Sequence, residues 1–219
     1  MSSRIAAMVA VLTVCGPAQA AGPTGQSLRF DFEGDKVGGL PPGFSVAMTG
    51  KGAPPAWAVR EDPSSPSGPK VLAQTSADGT DYRFPLCIAS SLTTANVQLS
   101  VRFKPVSGKV DQGAGLVARF RDSGNYYVVR ANALEGNVNL YKVVGGRRSE
   151  IAGKPAELRT GAWRTLDLTV EGDRLAVSLD GQALFEAHDA TFKAAGKVGL
   201  WTKADSVIEF DDFQAQALP

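Results

Sequence analysis

The chain has 219 residues, 43% hydrophobic and 21% charged, with 23 basic side chains against 22 acidic ones for a net charge of +1. That balance offers no general electrostatic hold on a polyanion, which argues against nucleic acid or an anionic membrane surface as partner. Gly (24) and Pro (13) are plentiful for a helical protein and suit a fold with many turns.

Arg4, the apolar run Ile5 to Val14 and the small-x-small triplet Ala18-Gln19-Ala20 have the layout of a signal peptide over residues 1–20. The run is too short to span a bilayer, and no later stretch qualifies, so no membrane span is expected. The expectation is an exported protein, periplasmic or extracellular, whose mature part, residues 21–219, forms one domain. Leu12-Thr13-Val14-Cys15 loosely resembles a lipoprotein site, but Val14 is bulky where a small residue is needed. Without Cys15 the mature chain keeps only Cys87 and can form no internal disulfide. Flanked by Leu86 and Ile88, Cys87 reads as a small buried hydrophobe.

Strands follow in order. Leu28 to Phe32 alternates, then come a Gly/Pro-rich loop, the short strands Phe44 to Met48 and Trp57 to Arg60, and a kinked polar loop from Asp62 to Pro69. Val71 to Gln74, Tyr82 to Phe84 and the Cys87 segment lead to Val97 to Phe103. There Val97, Leu99, Val101 and Phe103 point one way and Gln98, Ser100 and Arg102 the other. Further on, Ser149 to Ala152, Trp163 to Val170, Arg174 to Leu179, Ala183 to Ala187, Lys197 to Thr202 and Val207 to Ala215 read as strands. Asp180-Gly181 is a type I′ hairpin signal, and Ala190 to Ala195 is the only weakly helical stretch. The pattern predicts an all-β, two-sheet antiparallel sandwich.

The stretch Gly113 to Val144 reads as a β-meander, with strands Leu116 to Arg121, Tyr126 to Asn132 and Val138 to Val144. A symmetric turn at Asp122-Ser123-Gly124-Asn125 would set Arg121 opposite Tyr126, Arg119 opposite Val128 and Val117 opposite Arg130. Leu116, Ala118, Phe120, Tyr127, Val129 and Ala131 would then line the core. The other face would carry Arg119, Arg121, Arg130 and Tyr126, joined by Lys142 after a turn at Glu135-Gly136-Asn137.

The segments GLVARFRDSGNYYVVRA, NLYKVVGGRRSEIAG, WRTLDLTVEGDRLAVSLDG and GKVGLWTKADSVIEFDDF resemble the concanavalin A-like lectin/glucanase superfamily. The nearest branch is similar to bacterial exported laminin-G-like domains related to the 3-keto-disaccharide hydrolase class. The resemblance covers Leu28 to Ala215. It implies a jelly roll with a concave and a convex sheet, the concave one being the usual carbohydrate site. It also implies a possible structural Ca²⁺, held on the convex side by Asp211 or Asp212 with Asp31, Glu33 or Asp35.

Catalytic signals are thin. The glucanase motif Glu-x-Asp-x-x-Glu finds its nearest match in Glu209-Phe210-Asp211-Asp212-Phe213-Gln214, but Gln214 cannot move a proton. There is one histidine, His188, and no nucleophile elbow, so neither a Ser/His/Asp set nor a zinc site is supported. Phe210 and Phe213 read as core anchors around an irregularity at Asp211-Asp212. Among aromatic platforms for a sugar ring, Tyr126, Tyr141 and Trp201 are candidates, Trp201 because it points away from Val198 and Leu200.

The sequence therefore predicts an exported jelly roll that binds an oligo- or polysaccharide on its concave sheet and requires no cofactor. Arg119, Arg121, Arg130 and Tyr126 would form the floor, with Lys142 and Trp201 at the margin, and arginine forks would take sugar hydroxyls or a uronate carboxylate. The alternatives are a glycoside hydrolase or polysaccharide lyase of the same superfamily, and a structural or adhesion module of the cell envelope.

Overall fold

The structure, a computed structural model, describes residues 25–219, so the expected signal peptide lies outside the described residues. Among the described residues fifteen strands follow one another, and Ala190–Ala195 is irregular loop instead of helix. The first five are β1 (Ser27–Phe30), β2 (Phe44–Gly50), β3 (Trp57–Glu61), β4 (Lys70–Gln74) and β5 (Arg83–Thr94). Next come β6 (Val97–Ser107), β7 (Gly113–Asp122), β8 (Asn125–Asn132), β9 (Asn137–Val144) and β10 (Arg147–Pro155). The last are β11 (Arg164–Glu171), β12 (Arg174–Leu179), β13 (Gln182–His188), β14 (Gly196–Thr202) and β15 (Val207–Ala217). The expected strands Tyr82 to Phe84 and the Cys87 segment are one long strand, β5.

Two antiparallel sheets stack face to face. The eight-strand sheet runs β13-β12-β11-β6-β15-β4-β3, with β1 beside the end of β15, and the seven-strand sheet runs β10-β9-β8-β7-β14-β5-β2. This is an all-β jelly-roll sandwich of two antiparallel sheets, the architecture that the concanavalin A-like resemblance implies. Alternation builds its core: Val97, Leu99, Val101 and Phe103 of β6 meet Leu116, Ala118, Tyr127, Val129 and Leu200 from the other sheet. Burying each large aliphatic or aromatic side chain there contributes about 1.5–3 kcal/mol. Cys87 lies in this core as a free thiol, its pKa pushed up by burial.

Turn chemistry follows the sequence at Asp180 (φ 50°) and Gly181 (φ 74°), both in the left-handed region that a type I′ hairpin needs. Phe210 and Phe213 both face the core because Asp212, at φ 48°, sits in a bulge where β15 slips against β6.

The meander departs from the symmetric pairing in two places. Val117 faces Val128 and Gly115 faces Arg130, a two-residue slip that keeps the faces; pairing then breaks between Ala118 and Asp122. Arg119 takes φ 50° in this bulge, and the alternation reverses. Phe120 turns outward to lie 6.0 Å from the Tyr126 ring, while Arg121 stacks 5.1 Å from the ring of Phe192. The second departure is the loop after β8. It spans Ala133 to Gly136, so Asn132 faces Asn137 and Lys142 faces Tyr127, on the side opposite Arg130. A turn at Glu135-Gly136-Asn137 has odd length and puts Lys142 on the wrong face.

Candidate functional site

The outer face of the seven-strand sheet is concave. Its strands β10 and β5 stand five places apart in the order, about 24 Å in a flat sheet. Yet the guanidinium carbon of Arg148 on β10 lies 4.8 Å from the ring of Phe84 on β5, so the sheet curls over its own outer face. Two contacts clasp the curl at one end, where the β7–β8 and β9–β10 turns meet through the Gly146 N–H and the Gly124 carbonyl (2.9 Å). The Tyr82 hydroxyl accepts from the Arg148 backbone N–H at 2.7 Å and donates to the Gly146 carbonyl at 3.1 Å. The Thr49 hydroxyl donates to the Ser123 carbonyl and accepts from the Tyr126 hydroxyl at 2.7 Å. Burial pushes Tyr126 up to about 12, so it stays a neutral donor.

Under the clasp lies a second apolar cluster, built from Phe84, Leu86, Ile88, Val117, Tyr126, Val128, Tyr141, Val143 and Trp201. Glycine makes it possible. A Cβ on Gly115 would stand 2.7 Å from the Val129 carbonyl oxygen and 3.3 Å from Trp201 Cβ, so only glycine fits beside Trp201 at this point of β7. Trp201, Tyr126 and Arg130 therefore share this face, but Trp201 and Tyr126 are fully buried in it. Their rings are not open platforms, and what this face offers a ligand is its hydrogen-bonding groups.

Those groups line the flank formed by β8, β9 and β10. Arg130, 1% exposed, donates to both Glu135 carboxylate oxygens (3.1 and 2.7 Å) and to Asn137 Oδ1 (2.6 Å), while its Nε–H has no acceptor. Burial would raise the Glu135 pKa, but the Arg130 fork holds it below the usual range. The Asn139 amide donates to Tyr141 Oη (3.1 Å) and Glu150 Oε2 (3.0 Å). Arg130 and Arg148 lie 5.4 and 4.4 Å from the Tyr141 ring. At the far end, Asp111 is buried between Asn132 (2.9 Å) and Lys203 (2.9 Å), and burial raises its pKa against the pull of Lys203.

The six expected ligand residues do not gather. Arg119 turns away and spends its donors on the carbonyls of Ala95 (2.7 Å), Phe192 (2.5 Å) and Gly172 (2.7 Å), tying three loops at one end of the sandwich. Arg121 is exposed beside Phe192, and Lys142 pairs with Asp189 (2.6 Å) and Thr191 (3.0 Å). Arg148, Asn139, Glu150 and Asp111 were missed from sequence. For Arg148 a signal exists: Gly145-Gly146 (φ 55° and 79°) is a two-residue hairpin turn, which places Arg148 opposite Val143 and on the Tyr126 face.

Asp211, Asp212 and Asp31, the carboxylates expected to ligate calcium, each have a protein partner. Asp212 pairs with Arg29 (3.0 Å) and Arg102 (3.4 Å), buried Asp211 accepts from Ser65 and Ser67, and Asp31 caps the Glu33 N–H (3.2 Å). Among the described residues no three His, Cys, Asp or Glu side chains form a metal-ligating group. Glu209 is paired with Lys104 at 2.7 Å, and His188 is exposed, 3.3 Å from Asp173. The eight-strand sheet carries its own hollow of about 390 Å³ near Ser27, Arg29, Gln98, Ser100 and Gln214, with no aromatic ring and no buried charge in its wall. The concave flank is the better-built candidate.

Known proteins bear on the same regions. A family described as galactocerebrosidase, C-terminal lectin domain, matches residues 87–218. Among solved structures, the carbohydrate-binding module CBM66 from Bacillus subtilis is similar with a TM-score of 0.65 at 19% identity, covering 80% of this chain and 96% of that one. The cellulose-induced protein Cip1 is similar with a TM-score of 0.66 at 10% identity, covering 87% and 97%. A Bacillus subtilis protein of unknown function with a galectin-like fold follows at 0.54 and 13%, covering 79% and 88%. No curated protein sequence matches. At such identities the structural likenesses speak for the sandwich fold alone. The family match goes further, because it runs from within β5 to the end of β15 and takes in the whole β8–β10 flank. The chain belongs to the galactocerebrosidase C-terminal lectin domain family.

Proposed function

We propose that this lectin-like domain is exported and binds a glycan on the concave face of its seven-strand sheet, at the flank built by Arg130, Asn137, Asn139, Tyr141, Arg148 and Glu150. The observation that carries the reading is the buried guanidinium of Arg130. It is fixed by Glu135 and Asn137, and its Nε–H is still without an acceptor. A buried unsatisfied donor costs about 1–3 kcal/mol, and a ligand hydroxyl offers the missing acceptor. Beside it, Asn139 and Glu150 present amide and carboxylate groups of the kind that read sugar hydroxyls.

Binding is favoured over catalysis because the carboxylates near the flank are engaged: Glu135 by Arg130, Glu150 by Asn139, Asp111 by Lys203. The signal-peptide layout of residues 1–20 supports a periplasmic or extracellular location. The test is a glycan array with the purified protein and the double variant Asn139→Ala/Glu150→Ala. Glu150 is exposed and Asn139 half-buried, so the variant should fold, and its binding should fall at least tenfold. Retention of full binding by that variant would move the site elsewhere.

A further inference from the structure

We infer that the glycan carries a carboxylate, as in a uronic acid, and that Arg148 is the residue that reads it; this deepens the carbohydrate reading above and rests on it.

The arginines among the described residues sort by what their donors meet. Arg29, Arg102, Arg130, Arg159, Arg164 and Arg174 each pair with a carboxylate. Arg83 and Arg119, both buried, spend theirs on loop carbonyls. Arg60 and Arg147 are exposed and left to water, and Arg121, also exposed, lies against the single ring of Phe192. Arg148 fits none of these groups. Its guanidinium carbon lies 4.4 Å from the ring of Tyr141, 4.8 Å from Phe84 and 5.9 Å from Trp201. Its Nη1 is buried without an acceptor, and among the described residues no side-chain or backbone oxygen receives a bond from the guanidinium. Glu150, two residues along the strand, bonds the Asn139 amide instead.

A half-buried cation without a counter-charge is costly unless something completes it. Three aromatic rings hold this guanidinium in place through their faces, an attraction that leaves the in-plane N–H groups unused. The result is a fork immobilised before a ligand arrives, which lowers the ordering cost of binding. A planar fork matches a planar carboxylate bidentately, a fit that a neutral hydroxyl cannot give. Arg130 cannot take the same part, because Glu135 already occupies both its terminal nitrogens.

The experiment compares binding of the full chain to polygalacturonate, alginate and glucuronoxylan, each beside its carboxyl-reduced neutral form. The wild type should prefer at least one acidic polymer over its neutral partner by tenfold or more. That preference should fall below twofold in Arg148→Met, which keeps an apolar stem against the rings, and survive only in part in Arg148→Lys, which keeps charge without the fork. Equal binding of acidic and reduced forms, or an acid preference untouched in Arg148→Met, would overturn the inference and leave the carbohydrate reading standing. Absence of binding to every polymer, acidic and neutral, together with a blank glycan array, would bring down both.

Discussion

Arg119 and Arg148 are both pinned by the fold, yet they are opposites. At Arg119 the backbone is bent to φ 50° so that one buried guanidinium can hold three loop carbonyls from Ala95, Gly172 and Phe192. At Arg148 the strand is regular, the guanidinium is gripped only through aromatic faces, and its donors stay free. Arg83 repeats the first pattern at the other end of β5, donating to the carbonyls of Ala53, Pro54 and Ala204. A buried arginine is thus not by itself a sign of binding. What separates a lock from a reader is whether the protein has already used its hydrogen bonds.

The comparison is broken most severely at the lock. Arg119→Met keeps the stem and removes every donor, leaving three carbonyls at the sandwich end without partners. Charge-assisted bonds of this kind contribute about 1.5–3 kcal/mol each, and neighbouring bonds are not additive, so a loss of about 3–5 kcal/mol is expected. Denaturant unfolding measures it, and a loss below 1 kcal/mol would mean that the loops hold themselves. Glycan binding by the fraction that remains folded should be unchanged, because Arg119 lies off the concave face.

A smaller effect is expected where the concave face is packed. In Gly115→Ala the new methyl would meet the Val129 carbonyl oxygen at 2.7 Å, and backbone cannot move aside as a side-chain tip can. Overpacking of this sort costs about 1–3 kcal/mol. Unlike the Arg119 change, it should also weaken binding, because Trp201 lies 3.3 Å from the added atom and supports the Arg148 guanidinium. A variant that loses stability and binds normally would separate the aromatic cluster from the site.

Much of the fold was legible in the sequence because alternation survives wherever strands are regular. The inward set on β6, the Asp180-Gly181 hairpin and the irregularity between Phe210 and Phe213 could all be read from residue types alone. The outward direction of Trp201, Tyr126 and Arg130 was legible for the same reason. The grouping of arginines was not, because two local events set it. Arg119 enters the left-handed region without a glycine to mark the place, and the bonds that reward it come from Ala95, Phe192 and Gly172, far away in the chain. The loop after β8 is one residue longer than its Gly-Asn signal suggests, and an odd change of length exchanges the faces of β9. The curl that carries Arg148 onto Phe84 and Trp201 is a property of the whole sheet and leaves no local mark.

The gentlest change tests the clasp that holds the reader in place. Tyr82 is 40% exposed, and its ring packs 4.7 Å from Phe84, so Tyr82→Phe keeps the packing and removes only the hydroxyl. That hydroxyl joins the Gly146 carbonyl to the Arg148 N–H, at the point where edge strand β10 would otherwise be free to lift from the curl. One part-exposed hydrogen-bonding group is worth about 0.5–1.5 kcal/mol, close to the limit of an unfolding curve. Hydrogen exchange is the sharper measurement: the β10 amides should exchange faster while those of β7 and β14 keep their protection. If β10 is the arm that presents the guanidinium, binding of an acidic glycan should weaken severalfold in parallel. Faster exchange without that weakening would show that the three aromatic rings hold Arg148 unaided, and that the strand beneath it is only a support.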